Sequence, residues 1–143
     1  MKSLPHRYQA SANGGPSGTI PVRSPGLEQL ETDAPAEFGG SGEYWSPETL
    51  LVAAVANCFI LTFRALSRRA GAEWEDLWVD AEGDLDKTQY GLRFTHFRLE
   101  VRLRPADDTD PAELHELLEK AERQCLITNS LTAESEIRIA IES

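Results

Sequence analysis

Residues 46–63 read SPETLLVAAVANCFILTF, and no side chain between positions 49 and 63 is charged. Ser46 is a favoured N-cap residue, Pro47 suits the first helical position, and the Glu48 carboxylate complements the positive end of the helix dipole. A helix that is apolar on all sides is normally buried. The stretch therefore predicts a central, buried helix that begins directly after Ser46.

The same helix is expected to end near Gly71, a favoured C-terminal residue, after the basic side chains of Arg64, Arg68 and Arg69. A chain of 143 residues has little else with which to cover such an apolar helix on every side. We therefore expect a second copy of the chain to supply part of the cover, which predicts a homodimer.

The composition fits one globular domain that spans residues 1–143, since 41% of the residues are hydrophobic. A formal net charge of -10 argues against nucleic acid as a partner, because phosphate binding needs clustered Lys and Arg. The uncharged run is shorter than the roughly 20 residues that span a bilayer, so no membrane partner is expected. The start MKSLPHRYQA lacks the apolar core of a signal peptide, which predicts a cytoplasmic protein.

The part of the chain before the helix is rich in Gly, Pro and Ser. The Gly-rich turn at residues 14–18 predicts a hairpin between a strand at 6–12 and a strand at 19–23. A third short strand is expected at 27–32, and residues 38–42 are expected to form a mobile approach to the helix.

The part after the helix alternates apolar and polar residues along 77–85 and 97–103, with a turn near Tyr90-Gly91. Such alternation predicts two antiparallel strands with one buried face. Asp110 is expected to cap a second helix, with Glu113 completing the capping box, and residues 126–131 are expected to turn the chain into a strand at 137–141. The predicted class is α+β, with helices on one face of an antiparallel sheet.

The chain has two cysteines, Cys58 in the apolar helix and Cys125 at the end of the second helix, 67 residues later. Each could be a small core residue, because Cys is among the most buried residue types. Alternatively the two form a reactive pair, since a cytosolic disulfide is more often transient than structural. A reactive thiolate needs a nearby positive charge, dipole or hydrogen bond, and no cation is adjacent to Cys58 in the sequence.

Two segments resemble the motifs of the OsmC/Ohr family of peroxide-reducing proteins. Residues 46–59 match its reactive-cysteine helix, which starts Pro-Glu-x-Leu and carries the Cys ten residues after the Glu. Residues 125–131, CLITNSL, resemble its second motif, commonly Cys-Pro-Val-Ser with a short tail. The resemblance covers the whole chain and implies an α+β OsmC-like fold, in which antiparallel sheets pack on a buried central helix and a second helix within an intertwined homodimer.

The resemblance also implies an activity, thiol-dependent reduction of organic hydroperoxides without a cofactor or metal. Cys58 would attack the peroxide and become a sulfenic acid, Cys125 would condense with it to a disulfide, and an external dithiol would reduce the pair. Glu48 matches the family Glu, which works with an Arg to orient the thiolate. An apolar pocket near Cys58 would favour alkyl or lipid peroxides, with hydrogen peroxide a poorer substrate.

The family arginine is where the sequence departs from the pattern. Pro16 and Glu37 stand at the two places where branches of the family carry it, and Arg7 and Arg23 are the candidates to replace it. The departure keeps a second hypothesis open, a non-enzymatic OsmC-like dimer that binds a small apolar ligand or senses redox state.

Helix geometry constrains Glu48 further. Ten residues separate it from Cys58, which is about 15 Å along a helix axis at 1.5 Å per residue. If Glu48 assists a thiolate, it must therefore reach the Cys58 of a partner subunit. The alternative is an ordinary charge at a helix N-terminus, worth under about 1 kcal/mol. Tyr44 and Trp45, just before the helix, could line an apolar pocket at the dimer interface or pack onto the helix itself.

Overall fold

The computed structural model describes residues 2–143. Along them the chain forms strands β1 (Ser11–Ala12), β2 (Ile20–Arg23) and β3 (Leu30–Thr32), a 3-10 turn (Ala36–Phe38), helix α1 (Pro47–Ala70), strands β4 (Trp74–Thr88) and β5 (Gly91–Pro105), helices α2 (Pro111–Gln124) and α3 (Leu126–Asn129), and strand β6 (Glu134–Ile141). The contacts divide the chain into two compact units, one up to Leu50 and one from Leu51 onward. A single domain stays a prediction.

The first unit contains a small antiparallel sheet in the order β1-β2-β3. The predicted hairpin is present, but its first strand pairs only at Ser11 and Ala12 rather than along 6–12. All described residues up to Gly18 are exposed, so this segment has no apolar face whose burial would extend the pairing. Beyond β3, the amide of Asp33 donates to the carbonyl of Trp45 over 3.0 Å, which fixes the approach to α1.

Helix α1 begins and ends as predicted. The Ser46 hydroxyl accepts from the Thr49 amide at 3.1 Å, and the Thr49 hydroxyl accepts from the Ser46 amide at 2.8 Å. This reciprocal pair is a capping box in which Thr49 replaces the usual Glu or Gln. At the other end Gly71 has a φ of 70°, and the amides of Gly71 and Ala72 bond back to the last turn, which is a Schellman ending.

Replacing Ser46 with Ala is expected to destabilise the first turn of α1. The Ser46 side chain is only 1% exposed, so its loss leaves the Thr49 amide without its acceptor and without water to replace it. We expect the free energy of unfolding to fall by about 1 to 2 kcal/mol, measured by urea denaturation. Ser46→Thr, which retains a capping hydroxyl, is the matched control, and equal losses in both variants would contradict the capping role.

The second unit is built around the long hairpin of β4 and β5. The two strands pair antiparallel along nearly their whole length, with Leu77 opposite Leu103 and Val79 opposite Val101 on the inner face. The chain turns between Thr88 and Gly91, which has a φ of 99° that favours glycine. The predicted turn is confirmed, and both strands are longer than the alternating runs that indicated them.

Helix α2 connects β5 to β6, and it starts as predicted, because the Asp110 carboxylate accepts from the Ala112 amide at 3.0 Å. Strand β6 pairs with β5 in parallel, so the second sheet is mixed in the order β4-β5-β6. Alternation indicates which residues face the core but not the direction of a strand. The crossover through α2 gives β6 the same direction as β5, as parallel pairing requires.

Glu122 on α2 provides a test of burial at this crossover. Desolvation raises the pKa of its carboxyl, while a hydrogen bond from the Ser135 hydroxyl, at 3.4 Å, opposes the shift. A raised folded-state pKa means that the ionised side chain disfavours folding at neutral pH and that protonation removes this cost as the pH falls through the folded pKa. Glu122→Gln should therefore raise the melting temperature at pH 7 and lose that advantage toward pH 4. A pH-independent difference between the two proteins would contradict this.

The core of the second unit lies between the sheet and the two long helices. Its fully buried members come from α1, β4, β5 and α2: Val55, Phe59, Phe63, Leu66, Leu77, Phe97, Leu99, Val101, Leu103, Leu114, Leu118 and Ala121. Both helices thus cover one face of the sheet, and the outer face carries ion pairs such as Arg98 with Asp84 at 2.7 Å. The α+β prediction is confirmed.

Helix α1 is not buried on all sides by its own chain. Asn57, Leu61, Arg64 and Ala65 are exposed, and Leu61 keeps 51% of its surface accessible. The helix has 24 residues and a mean hydropathy of 1.9 in its most apolar window, of which 28% is buried, so by length and composition it could cross a membrane. The core helix of a soluble protein meets the same criterion. Of this exposed stripe, Leu61 and Ala65 are the apolar positions that the described residues leave uncovered.

Candidate functional site

The fold brings Cys58 and Cys125 together. Cys58 lies on the core side of α1 and is 8% exposed, and Cys125, between α2 and α3, is 2% exposed. Both are free thiols, and they lie close enough to interact, since Cys58 is among the groups that raise the pKa of Cys125. Two residues 67 positions apart in the sequence are therefore neighbours in the fold, and their reactivity stays a prediction.

The backbone around Cys125 is fixed by the junction of two helices. Its amide donates to the Glu122 carbonyl at the end of α2. Its carbonyl accepts from the Asn129 amide at 3.0 Å and from the Thr128 hydroxyl at 3.1 Å. Leu126 stands where the related motif commonly has proline, and its side chain is exposed. The four-residue helix α3 replaces the turn predicted for this segment.

The Cys125 thiol is held in its protonated form by its surroundings. Burial raises its pKa above the ordinary value, and the contact with Cys58 raises it further. The hydroxyl and the amide of Thr128 oppose this by donating hydrogen bonds to the sulfur. In the structure the Thr128 hydroxyl donates to the Cys125 carbonyl, which also accepts from the Asn129 amide.

Cys58 has a different hydrogen-bond environment. Its sulfur lies 3.8 Å from the Thr62 hydroxyl, one helical turn further along α1. That hydroxyl also donates to the Cys58 carbonyl at 2.8 Å, and in its contact with the sulfur either group can be the donor. Within its own unit, Cys58 therefore has Thr62 and Cys125 beside its sulfur and no cation in contact with it among the residues described.

Glu48 occupies the second position of α1, ten residues before Cys58 in the same continuous helix. Its Oε1 atom is buried and has no hydrogen-bond partner within residues 2–143. A buried carboxylate oxygen without a partner is costly, because it loses its bonds to water and gains none in return. An external donor, such as one from a second subunit, would satisfy this atom.

Of the two arginines expected to replace the family arginine, Arg23 donates to the Asn13 side chain at 2.7 Å, and Arg7 is exposed near the start of the chain. Both belong to the first unit. Tyr44 and Trp45 in the same unit are about half exposed and line a shallow pocket of about 350 Å³. The thiol-activating cation stays a prediction.

Sequence reasoning did not find Thr62 and Thr128. Thr62 follows Cys58 by four residues on a helix, a spacing at which a threonine hydroxyl bonds back to a carbonyl and comes close to the side chain there. Thr128 follows Cys125 by three residues, at the position where the related motif commonly has serine. This spacing could have indicated Thr128 as a site residue. Either hydroxyl can orient a neighbouring sulfur without reacting itself.

Chemically, a contacting thiol pair can pass two electrons to an oxidant and close a disulfide without large movement of the chain. Burial limits the access of bulk reagents to both sulfurs. The pair is therefore suited to reversible oxidation.

The chain is similar to several known proteins. The YmaD protein of Bacillus subtilis (strain 168) is 32% identical over 108 residues, which cover 73% of this chain and 72% of that protein. The OsmC-like protein VCA0330 of Vibrio cholerae superposes with a TM-score of 0.86 at 19% identity, covering 94% of this chain and 99% of the other. An organic hydroperoxide resistance protein of Legionella pneumophila has a TM-score of 0.76 at 25% identity, covering 99% and 100%.

One family model establishes the family of the chain. The model described as OsmC-like protein matches residues 40–140, a range that contains α1, the sheet of the second unit and both cysteines. Together with the structural neighbours, this match establishes that the chain belongs to the OsmC-like protein family, whose members include organic hydroperoxide resistance proteins.

Proposed function

We propose that this protein is a thiol-dependent peroxidase that reduces organic hydroperoxides. Membership in a family with organic hydroperoxide resistance proteins supports a peroxide-related role. The observation that carries the finer proposal is the buried contact between the Cys58 and Cys125 thiols. The proposal places the protein in the cytoplasm, where free thiols persist in the resting state.

The reaction consists of three balanced steps. The Cys58 thiolate attacks the outer oxygen of the hydroperoxide and the O–O bond breaks, so that Cys58 becomes a sulfenic acid and the alkoxide takes a proton from solvent and leaves as the alcohol. The Cys125 thiol then displaces the hydroxyl group of the sulfenic acid as water, and the Cys58–Cys125 disulfide forms. An external dithiol returns two electrons to the disulfide and is itself oxidised. No cofactor or metal takes part.

The electrostatics of the pair support Cys58 as the first thiol to react. A negative charge on Cys58, which the first step requires, raises the pKa of Cys125 and favours its protonated form. Oxidation to a neutral sulfenic acid removes that charge, while the hydrogen bonds from Thr128 to the Cys125 sulfur remain. Cys125 therefore becomes the better nucleophile only after Cys58 has been oxidised.

A homodimer completes this proposal. A second copy would cover the exposed stripe of α1 and would supply a partner for the buried Oε1 of Glu48. Because Glu48 lies about 15 Å along the helix from its own Cys58, it would assist the Cys58 of the partner. A second copy is a more suitable cover for Leu61 than a membrane, because the net charge of -10 disfavours an anionic lipid surface.

Leu61→Arg is expected to disrupt the homodimer. Leu61 is half exposed in the middle of the stripe, and a charge buried there without a partner is strongly unfavourable. We expect light scattering to give twice the chain mass for the wild type and a monomer for the variant. Leu27→Arg, at a 70% exposed loop position, is the control and should stay dimeric. A wild-type protein that is monomeric at micromolar concentration would contradict the shared site.

The substrate class is tested by following thiol loss in the reduced protein after cumene hydroperoxide or hydrogen peroxide is added. Rapid loss of both thiols with cumene hydroperoxide, and slower loss with hydrogen peroxide, supports the proposal. Thiols that persist under excess cumene hydroperoxide would overturn it.

A non-enzymatic dimer is the second candidate, and one observation favours it. The arginine expected of the family is absent at both of its usual places, where Pro16 and Glu37 stand. In that case the aromatic pocket of Tyr44 and Trp45 would hold a small apolar ligand, or the thiol pair would only report redox state. Slow thiol oxidation by hydroperoxides, together with saturable binding of an apolar dye, would select this function.

A further inference from the structure

We propose that a cavity at the C-terminal end of α1 binds a small organic carboxylate. Arg64 and Arg68 hold the carboxylate group, and the indole ring of Trp74 contacts the apolar part of the ligand. The cavity has a volume of about 420 Å³, which is within the range of small-molecule sites. All of its lining residues belong to the second unit, and neither cysteine is among them, so the proposal is independent of the peroxidase function.

The cavity contains two positive charges that the chain itself does not neutralise. Arg64 and Arg68 lie one turn apart on the same face of α1, and both line the cavity. Neither guanidinium has a carboxylate within ion-pair distance among residues 2–143. The arginines on the outer face of the sheet each have such a partner: Arg98, Arg102, Arg104 and Arg138. In a chain with 24 acidic residues, two neighbouring arginines without an acidic partner are suited to an external anion.

The end of a helix normally disfavours an anion, because the free carbonyl groups of its last turn carry partial negative charge. In α1 the Schellman ending satisfies these groups. The Ser67 carbonyl accepts from the Ala72 amide at 2.9 Å, and the Arg68 carbonyl accepts from the Gly71 amide at 3.2 Å. Arg69 lies in the same last turn but does not line the cavity. It therefore separates a charge that only complements the helix dipole from a charge that binds a ligand.

One wall of the cavity is the indole ring of Trp74, which its own contacts hold in place. Its Nε1 atom donates to the Ser67 hydroxyl at 2.8 Å, and the ring packs against Phe63 with a centroid distance of 5.2 Å. A rigid aromatic surface loses little entropy when a ligand packs on it. Ala72 and Ala106 extend the apolar lining. The ligand therefore needs an apolar body beside its charged group.

The acidic residue of the cavity limits the charge of the ligand. Glu73 lines the same cavity as Arg64 and Arg68, and its side chain is exposed. Two guanidinium groups and one carboxylate leave a single net positive charge, which a monoanion matches. A phosphate group carries close to two negative charges at neutral pH, so Glu73 would repel it more strongly. An aromatic or alkyl carboxylate fits the cavity better, because its two oxygens can accept from both arginines at once.

Benzoate is the probe for this site, titrated into isotope-labelled protein and followed by the indole N–H signals in NMR spectra. We expect a saturable shift of the Trp74 signal, which Trp74→Phe identifies by removing it. Benzamide has the same shape without the charge and should bind about tenfold more weakly, and inorganic phosphate should also bind more weakly than benzoate. No saturable shift with benzoate, equal binding of benzamide, or tighter binding of phosphate would overturn the proposal.

The role of the two arginines is tested by substitution. Arg64→Gln combined with Arg68→Gln should weaken benzoate binding about tenfold, because two partly exposed ion pairs are lost. Arg69→Gln is the matched control, since it removes the same charge from the same helix end, and it should bind benzoate like the wild type. An effect of Arg69→Gln as large as that of the double variant would show that the charges act only through the helix, which contradicts the site.

A carboxylate from a second copy of the chain is the competing occupant of the cavity. In that case the wild-type dimer would not bind benzoate, and the Arg64→Gln, Arg68→Gln variant would dissociate into monomers in light scattering. That pair of results would also overturn the proposal. A variant that stays dimeric and loses only benzoate binding supports it.

Discussion

Replacing Cys58 with Ser is expected to abolish hydroperoxide consumption, with a loss on the order of a thousandfold or more in the steady-state rate with a dithiol reductant. A serine hydroxyl stays protonated at neutral pH and is a far weaker nucleophile than a thiolate, while its size leaves the packing of α1 nearly unchanged. The measurement is consumption of cumene hydroperoxide by wild type and variant under identical conditions, with melting temperature as the check on folding.

Cys125→Ser is the matched control, because it removes a thiol from the same contact without removing the attacking sulfur. That variant should still react once with hydroperoxide and accumulate a Cys58 sulfenic acid, which dimedone labels. Full activity in Cys58→Ser would contradict the assignment of the first thiol, and so would dimedone labelling of Cys125 in that variant.

Phe63→Ala is expected to produce the largest loss of stability. Phe63 is fully buried on α1, and its ring packs against Trp74 with a centroid distance of 5.2 Å. The indole of Trp74 is itself held by a 2.8 Å hydrogen bond from its Nε1 to the Ser67 hydroxyl, so the surroundings cannot collapse freely into the space. Removal of the ring should lower the free energy of unfolding by about 3 to 5 kcal/mol.

Urea denaturation measures this effect, with Phe38→Ala as the control for the same chemical change. Phe38 is 53% exposed, so its truncation creates no cavity and should cost well under half as much. A loss below about 1 kcal/mol for Phe63→Ala would show that the α1 core is loosely packed, contrary to its complete burial.

The sequence predicted the elements whose signals are local. The caps of α1 and α2, the turn before Gly91 and the alternation of β4 and β5 each depend on neighbours a few residues apart, and the structure confirms them. The predicted length of β1 was wrong. Turn residues indicate where a chain reverses, but they do not indicate whether the flanking strands have an apolar surface to pack against. The direction of β6 likewise depends on the crossover and not on its own residues.

The candidate site was predictable only in part. Each cysteine could equally have been a core residue on pattern alone, since periodicity does not say which helices meet. The resemblance to family motifs suggested the reactive pair, which stays a prediction, and in the fold Cys58 lies close enough to Cys125 to raise its pKa. Thr62 and Thr128 were not predicted as site residues, because the sequence does not show which atoms their hydroxyl groups contact.

The central claim is that Cys58 and Cys125 form a peroxide-oxidised pair. Its most direct test is to add one equivalent of cumene hydroperoxide to the fully reduced protein, quench with acid, and map disulfides by peptide mass spectrometry. We expect an intramolecular Cys58–Cys125 disulfide in nearly all chains, with one alcohol released for each. Reduced thiols, or cysteines oxidised singly without a bond between them, would contradict the claim.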